Sequence, residues 1–117
     1  MIQKVKKMKK GPINKDDIEQ VRALKGIYRK TMTYNNNVML CYFILEKDAE
    51  IPLHDHEAHQ IGYVISGKIK FLTETRGEFI AREGDSYVFD TWEKHGAKIL
   101  EFSEVIEVFN PSRDDYK

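Results

Sequence analysis

Residues 54–67 read HDHEAHQIGYVISG, and this stretch holds three of the four histidines in the chain. Residues two apart on a strand point to the same side, so His54 and His56 can present two imidazoles to one ion. A turn after His56 would return the Gln60 amide toward them, and His95 in WEKHG would complete the site through a long-range contact. We predict a metal site built from these four residues. Surface histidines on a loop are the alternative, and spacing alone leaves the His95 contact open.

The chain around this stretch is a series of short apolar runs with the composition of β-strands. The runs are VMLCYFIL from Val38, IGYVIS, KIKFL, EFIA, SYVF, KIL and VIEVF. Turn residues separate them: Ser66-Gly67 and Arg76-Gly77 stand at hairpin spacing, and Glu83-Gly84-Asp85 precedes SYVF. Short strands joined by glycine turns predict an all-β fold, an antiparallel sandwich or barrel.

Several of these strands are apolar on both faces. VMLCYFIL never alternates, and IGYVIS places Ile61, Tyr63 and Ile65 on one side with further apolar residues on the other. Such a strand needs two covers, of which the barrel interior is one. We predict that a second copy of the chain is the other cover, which makes a homodimer. Aromatic residues at barrel positions are expected to be core, with lining of the pocket as the alternative, and no role is assigned to Tyr63, Tyr87, Phe89 and Trp92.

The N-terminal part of the chain has a different pattern. Residues 1–13 are Lys-rich, which predicts a basic, solvated arm; an arm that contacts nucleic acid is the alternative. Residues 14–26 (NKDDIEQVRALKG) offer Asn14 as an N-cap, acidic residues in the first turn and Gly26 as a stop, so a short helix is predicted there. A chain of 117 residues suits one domain, which we assign to residues 14–117.

Composition argues against partners that bind through a general electrostatic field. The 19 basic and 19 acidic side chains cancel, so neither nucleic acid nor a membrane is an expected partner. Cys41 is the single cysteine, and within an apolar run it is expected to be a small buried hydrophobe, which favours a reducing compartment. No segment has the ~20 apolar residues of a membrane helix, and the basic N-terminus lacks the apolar stretch of a secretory signal. A cytoplasmic location is the expectation.

Two spaced motifs resemble those of the cupin superfamily and together cover roughly residues 38–108. The first is His54-x-His56-x-x-x-Gln60-x-x-x-x-x-x-Gly67, and the second is Gly84-x-x-x-x-x-Asp90-x-x-x-x-His95. Many cupins carry Glu where this chain has Gln60. The resemblance implies a double-stranded β-helix, or jelly-roll barrel, with one divalent transition metal ion inside it, whether Ni, Zn, Mn, Fe or Cu. The residues that it implies as ligands are His54, His56, Gln60 and His95.

The C-terminal tail is similar to that of a narrower group, the small cupins of pectin and alginate degradation that linearise unsaturated uronic sugars. Those proteins combine a His-x-His-x-x-x-Gln set with a tail of acid, x, Phe, x, Pro, x, Arg, and EVFNPSR has this register. The resemblance implies that Glu107 transfers protons, Phe109 forms a pocket wall and Arg113 anchors the substrate carboxylate. The acid of that group is usually Asp, one methylene shorter than Glu107. Alternation alone favours the opposite orientation, with Ile106 and Val108 toward the core and Glu107 toward solvent.

The function that this resemblance implies is ring opening or isomerisation of an unsaturated uronate by a metalloenzyme, with an anionic sugar as the small-molecule substrate. Neutral imidazoles and a neutral amide leave a divalent ion its full charge, which favours Lewis-acid chemistry. A redox cupin such as an iron-dependent dioxygenase is the first alternative. A barrel that binds a small ligand without turnover is the second, and it is least favoured because 117 residues leave no room for a helix-turn-helix. His59 fits neither motif and is expected outside the ligand set, with a place at the rim, a contact behind the ligands and simple exposure as the alternatives.

Overall fold

The computed structural model describes residues 9–117, which form an antiparallel β-structure with two 3₁₀ turns. The strands are β1 (Val21–Leu24), β2 (Ile27–Tyr34), β3 (Met39–Leu45), β4 (Glu50–His54), β5 (His59–Thr73), β6 (Gly77–Arg82), β7 (Ser86–Phe89) and β8 (His95–Asn110), and the 3₁₀ turns are Lys15–Asp17 and Asp114–Tyr116. The predicted all-β class is confirmed. The basic arm predicted for residues 1–13 falls mostly on residues 1–8, outside the described residues.

Two long strands, β5 and β8, join the two halves of the barrel. Residues 104–110 of β8 pair with the first half of β5, and this half-sheet continues through β3, β2 and β1 on one side and β7 on the other. Residues 95–101 of β8 pair with the second half of β5, and β4 and β6 flank this pair. Because β5 and β8 belong to both half-sheets, their inward side chains line one shared interior.

A bulge in the middle of β5 bends this strand from one half-sheet into the other. The register with β8 shifts three times between Val64 and Ile69. Gly67 has a φ of +105°, and a Cβ there would lie 2.1 Å from Ser103 Oγ. That hydroxyl oxygen instead accepts the backbone N–H that follows the glycine, at 3.0 Å. The hairpin turn predicted at Ser66-Gly67 is therefore wrong, because the glycine bends one continuous strand.

The segment predicted as a short helix forms a β-hairpin instead. Asn14 caps only a single 3₁₀ turn, with its side-chain oxygen accepting the Asp16 N–H at 2.9 Å. Strand β1 then pairs with β2 through a two-residue turn in which Gly26 has a φ of +77°. The helix predicted over residues 14–26 is wrong because the outer edge of β2 takes β1 as its hydrogen-bonding partner. This pairing outweighs a weak local helix preference.

One hydrophobic core extends across both half-sheets. Its most deeply buried residues are Phe89, Phe109, Met39, Ile69, Ile99, Val64, Val105, Cys41 and Ser103. Cys41 is fully buried, and burial raises the pKa of its thiol to about 11, which confirms the prediction of a small buried hydrophobe. Within residues 9–117 there is no helix with the length and hydropathy needed to cross a bilayer.

An apolar face remains on the outside of the first half-sheet. Ile61, Tyr63 and Ile65 point outward from β5 and are 53%, 46% and 38% exposed. Val88 on β7 lies directly opposite Ile61 and is 44% exposed, so the apolar surface continues across the strand pair. These four residues are called the outer apolar face below. It is the face for which the sequence predicts a second cover.

Candidate metal centre

Three histidines from separate parts of the chain meet inside the barrel. His54 ends β4, His56 lies in the loop that follows, and His95 begins β8 directly opposite His54. The ring centroids are 4.5 Å apart for His54 and His95, 5.0 Å for His56 and His95, and 5.5 Å for His54 and His56. One ligand nitrogen of each lies within 4.8 Å of the others. Nitrogens bound ~2.1 Å from a common ion are roughly 3.4 Å apart in a tetrahedral site, so this cluster could hold a metal with small rotations.

Each imidazole is oriented by its own backbone neighbours. The Nδ1–H groups of His54, His56 and His95 donate to the carbonyls of Pro52 (2.9 Å), Ala58 (2.7 Å) and Glu93 (2.7 Å). A carbonyl can only accept, so in the neutral ring the proton sits on Nδ1 and Nε2 keeps a free lone pair. His95 Nε2 is buried without a hydrogen-bond partner in residues 9–117. A metal ion is a partner that suits such a lone pair.

The Gln60 amide is held with its oxygen toward the histidines. Its Nε2 donates to the Glu107 carboxylate, and its Oε1 faces His56 Nε2 at 3.0 Å. The reverse amide orientation would bring two oxygens together, so Glu107 fixes which end faces the rings. With the His56 proton on Nδ1, a lone pair of the Gln60 amide oxygen faces the lone pair of His56 Nε2, and the two repel. A cation bound by both atoms would remove that repulsion. The donor set of three imidazoles and one amide oxygen therefore fits one divalent transition metal ion.

Burial keeps two of the imidazoles neutral. It lowers the pKa of His95 to about 4, and the neighbouring His54 and His56 act in the same direction. Burial is also the main cause of the lowered pKa of His56, followed by the Arg113 guanidinium. Phe89 stacks on the His95 ring with centroids 4.1 Å apart and planes 4° apart. Neutral imidazoles have no proton to lose before they bind a metal.

One turn connects two of the candidate ligands that are distant in sequence. The Trp92 N–H donates to the His56 carbonyl at 2.8 Å, so the His56 loop is attached to the segment just before His95. The Glu93 carboxylate accepts a backbone N–H of the same turn and the Arg76 Nε–H, both at 2.9 Å. These bonds hold the turn that delivers His95 to the site.

Glu107 points into the barrel beside the candidate ligands. It is 8% exposed, whereas Ile106 and Val108 are half-buried on the outer side of β8. The orientation expected from alternation is therefore wrong. The outward residues Ile106 and Val108 are themselves apolar, so hydrophobicity does not mark the inward direction next to Glu107. Burial raises the pKa of Glu107 to about 7, while the Gln60 amide, the Tyr87 hydroxyl and Arg113 act in the opposite direction.

Phe109 and Arg113 line the same cavity as His54, His95 and Glu107. Phe109 is buried, and its ring meets the His56 ring edge-on with centroids 6.0 Å apart. The Arg113 guanidinium lies over the Tyr116 ring at 3.9 Å, and Arg113 Nη1 donates to the Tyr116 hydroxyl at 2.9 Å. The cavity thus combines a candidate metal site with an apolar wall and the Arg113 guanidinium, whose Nη2 is paired with the exposed Asp115 carboxylate at 3.0 Å.

Sequence reasoning gave no site role to Tyr87, although it lines the cavity. In the stretch SYVF it has the pattern of an ordinary strand residue, and only the strand pairing reveals that it faces Glu107 across Gly62. His59 lies outside the histidine cluster, as expected. It is exposed, and its Nδ1 accepts the Thr91 N–H at 3.2 Å instead of joining the other three histidines.

The fold and the site define a β-barrel protein with a candidate metal centre in its interior. Residues 41–109 match the family model of the cupin domain. This match covers more than half of the chain, so the chain belongs to the cupin family. The predicted double-stranded β-helix is thereby confirmed.

Similar proteins include two that are named KdgF. The chain is 34% identical over 93 residues to the pectin degradation protein KdgF of Dickeya dadantii (strain 3937), which covers 78% of this chain and 84% of that protein. The structure of KdgF from Halomonas sp. is 33% identical with a TM-score of 0.82 and covers 90% of this chain and 97% of that one. An RmlC-like cupin from Shewanella frigidimarina NCIMB 400 has a TM-score of 0.89 at 22% identity, covering 95% and 99% of the two chains. That last likeness shows the fold alone.

Proposed function

We propose that this chain is a metal-dependent cupin that opens the ring of an unsaturated uronic sugar. One observation carries the proposal: the buried Glu107 carboxylate contacts Gln60 beside three histidines, in the cavity that Arg113 also lines. Two relatives at one-third identity are named KdgF, and one of them is called a pectin degradation protein. These names support a sugar acid as the substrate class.

His54, His56, Gln60 and His95 are the proposed ligands of one divalent transition metal ion per chain. When bound, this ion would supply a Lewis acid for the sugar oxygens, with a charge that none of the four neutral ligands cancels. Arg113 is the proposed anchor of the uronate carboxylate, since guanidinium and carboxylate groups pair through two parallel hydrogen bonds. Phe109 is the proposed apolar wall against which the ring lies.

Glu107 is the proposed base. It takes the proton of the anomeric hydroxyl, and a carbonyl forms at the anomeric carbon as the bond from that carbon to the ring oxygen breaks. In an unsaturated uronate the ring oxygen is attached to a carbon–carbon double bond, so it leaves as an enolate. Return of the proton to the far carbon of that double bond gives a ketone. Atoms and charge balance without a second reactant.

The test is the absorbance of the unsaturated uronate, which ring opening and ketone formation remove. Metal-loaded parent protein is expected to remove it, and Glu107→Gln is expected to be at least about a hundredfold slower. Glu104→Gln is a matched control, because Glu104 lies on the same strand and bonds Tyr42 outside the cavity. Full turnover by Glu107→Gln would exclude Glu107 as the base. Oxygen consumption by the parent in place of uronate loss would refute the proposal and indicate a redox cupin.

We also propose that two copies of the chain pair through the outer apolar face. The support is the exposure of Ile61, Tyr63, Ile65 and Val88 on adjacent strands, since a sheet that is apolar on both sides gains from a second cover. A symmetric pair would place the same residues against each other.

A further inference from the structure

A buried hydroxyl inside the cavity has no partner in the described chain. Tyr87 is 7% exposed and lines the cavity, yet its hydroxyl completes no hydrogen bond in residues 9–117. Buried tyrosine hydroxyls usually have a partner. Tyr87 and Glu107 both line this cavity and lie opposite the same residue of β5, on the two strands that flank it, so their side chains face each other. Burial raises the pKa of Tyr87 well above its usual value. Tyr87 is therefore a neutral donor next to the proposed base.

Gly62 provides the space through which Tyr87 approaches Glu107. On β5, Gly62 pairs with Tyr87 of β7 on one side and with Glu107 of β8 on the other, so the three residues form one inward-facing row. A Cβ at Gly62 would lie 2.3 Å from Tyr87 Cζ and 2.4 Å from its hydroxyl oxygen. Gly62 is not among the glycines with positive φ, so its backbone does not require glycine. Glycine is required at this position because any Cβ would occupy the space of the Tyr87 ring.

We propose that Tyr87 is a positioning residue for Glu107, with its hydroxyl reaching across Gly62 to donate to the Glu107 carboxylate. Glu107 already accepts a hydrogen bond from Gln60. Two hydrogen bonds from donors on different strands fix the plane of the carboxylate, whereas a single hydrogen bond would leave the carboxylate free to rotate. The contact between Tyr87 and Glu107 does not depend on the proposed function, whereas its effect on catalysis rests on it.

The first experiment measures the contact without substrate. The melting temperature is compared for the parent, Tyr87→Phe, Glu107→Leu and the double variant. Tyr87→Phe keeps the ring that packs on Phe71, with centroids 4.4 Å apart, so only the hydroxyl is lost. We expect Tyr87→Phe to lower the melting temperature of the parent and to leave it unchanged or raise it in the Glu107→Leu background. An equal shift in both backgrounds, or a rise in the parent, would overturn the proposal.

The second experiment separates a positioning role from a structural one. We expect Tyr87→Phe to lower kcat on the unsaturated uronate about tenfold, with KM and metal content unchanged. Tyr42→Phe is the matched control, because the Tyr42 hydroxyl bonds Glu104 of the same strand outside the cavity. Coupled melting temperatures with an unchanged kcat would overturn the positioning role. Coupled melting temperatures in a protein inactive on the uronate would support the contact and refute the proposed function instead.

Discussion

Gln60→Glu tests the contact between residue 60 and Glu107 while keeping a metal-binding oxygen and nearly the same volume. In the parent the Gln60 amide donates to the buried carboxylate, and both side chains are less than a tenth exposed. The substitution replaces this donor by a second carboxylate. Its effect in the metal-free protein is therefore one of charge and of a lost hydrogen bond.

The magnitude follows from the distance and the burial. Two unit charges 4 Å apart repel by about 4 kcal/mol at an effective dielectric constant of ~20, and a hydrogen bond to a charged group is worth about 1.5–3 kcal/mol. The contact between Gln60 and Glu107 is closer than that, but uptake of a proton by one carboxyl limits the repulsion. We expect the metal-free variant to lose about 2–4 kcal/mol of the free energy of unfolding, and a bound divalent ion to restore most of it.

Urea denaturation of chelator-treated and metal-loaded protein at one mildly alkaline pH is the assay. Gln20→Glu makes the same substitution at an exposed position, and we expect it to change the free energy of unfolding by less than about 0.5 kcal/mol. If metal-free Gln60→Glu is as stable as the parent, the two side chains do not meet and the argument for the amide orientation fails. If the loss persists after metal is added, residue 60 does not reach the ion.

Three further predictions concern the metal, the bend in β5 and the outer apolar face. His95→Ala, purified without a His tag, is expected to lose an ion that elemental analysis finds near one per chain in the parent, and retained metal would remove His95 from the ligand set. Gly67→Ala is expected to lower the free energy of unfolding in urea by at least about 2 kcal/mol, because its Cβ would meet Ser103. Gly77→Ala is the control: Gly77 also has a positive φ but lies in open space, so the expected loss is only about 1 kcal/mol. Equal losses in the two variants would show that Ser103 moves aside. Ile61→Lys is expected to convert a dimer into monomers by light scattering, and a parent that is monomeric across micromolar concentrations would refute the homodimer.

Local signals predicted most of the strands and some of the turns. The apolar runs identify β3, β6 and β7 closely, and the turns at Arg76-Gly77 and Glu83–Asp85 separate strands as predicted. The predicted runs omit β2 and β4. Two further errors fall where a glycine has more than one structural use. Gly26 serves a hairpin instead of ending a helix, and Gly67 serves a bulge instead of a hairpin. Long-range pairing decides between these uses, and a single sequence does not display it.

The candidate site likewise combines residues that local spacing predicts with residues that only strand pairing brings into place. The His-x-His-x-x-x-Gln spacing is local, so it could be recognised in the sequence, and the structure brings His95 to the other two histidines by pairing it with His54. The inward direction of Glu107 could not be obtained from alternation, because the outward residues on either side of it, Ile106 and Val108, are apolar. The place of Tyr87 depends on its row with Gly62 and Glu107, which exists only once three strands are paired.

The carbonyls that orient His54, His56 and His95 each lie two residues away along the chain. The orientation of the three imidazoles is therefore fixed locally by the backbone. In evolutionary terms, the cavity wall is free to diverge toward new substrates while the imidazoles keep their orientation. The contact between Gln60 and Glu107 is where the two parts meet. A change of the acid at position 107 therefore reaches the ligand set only through the amide at position 60.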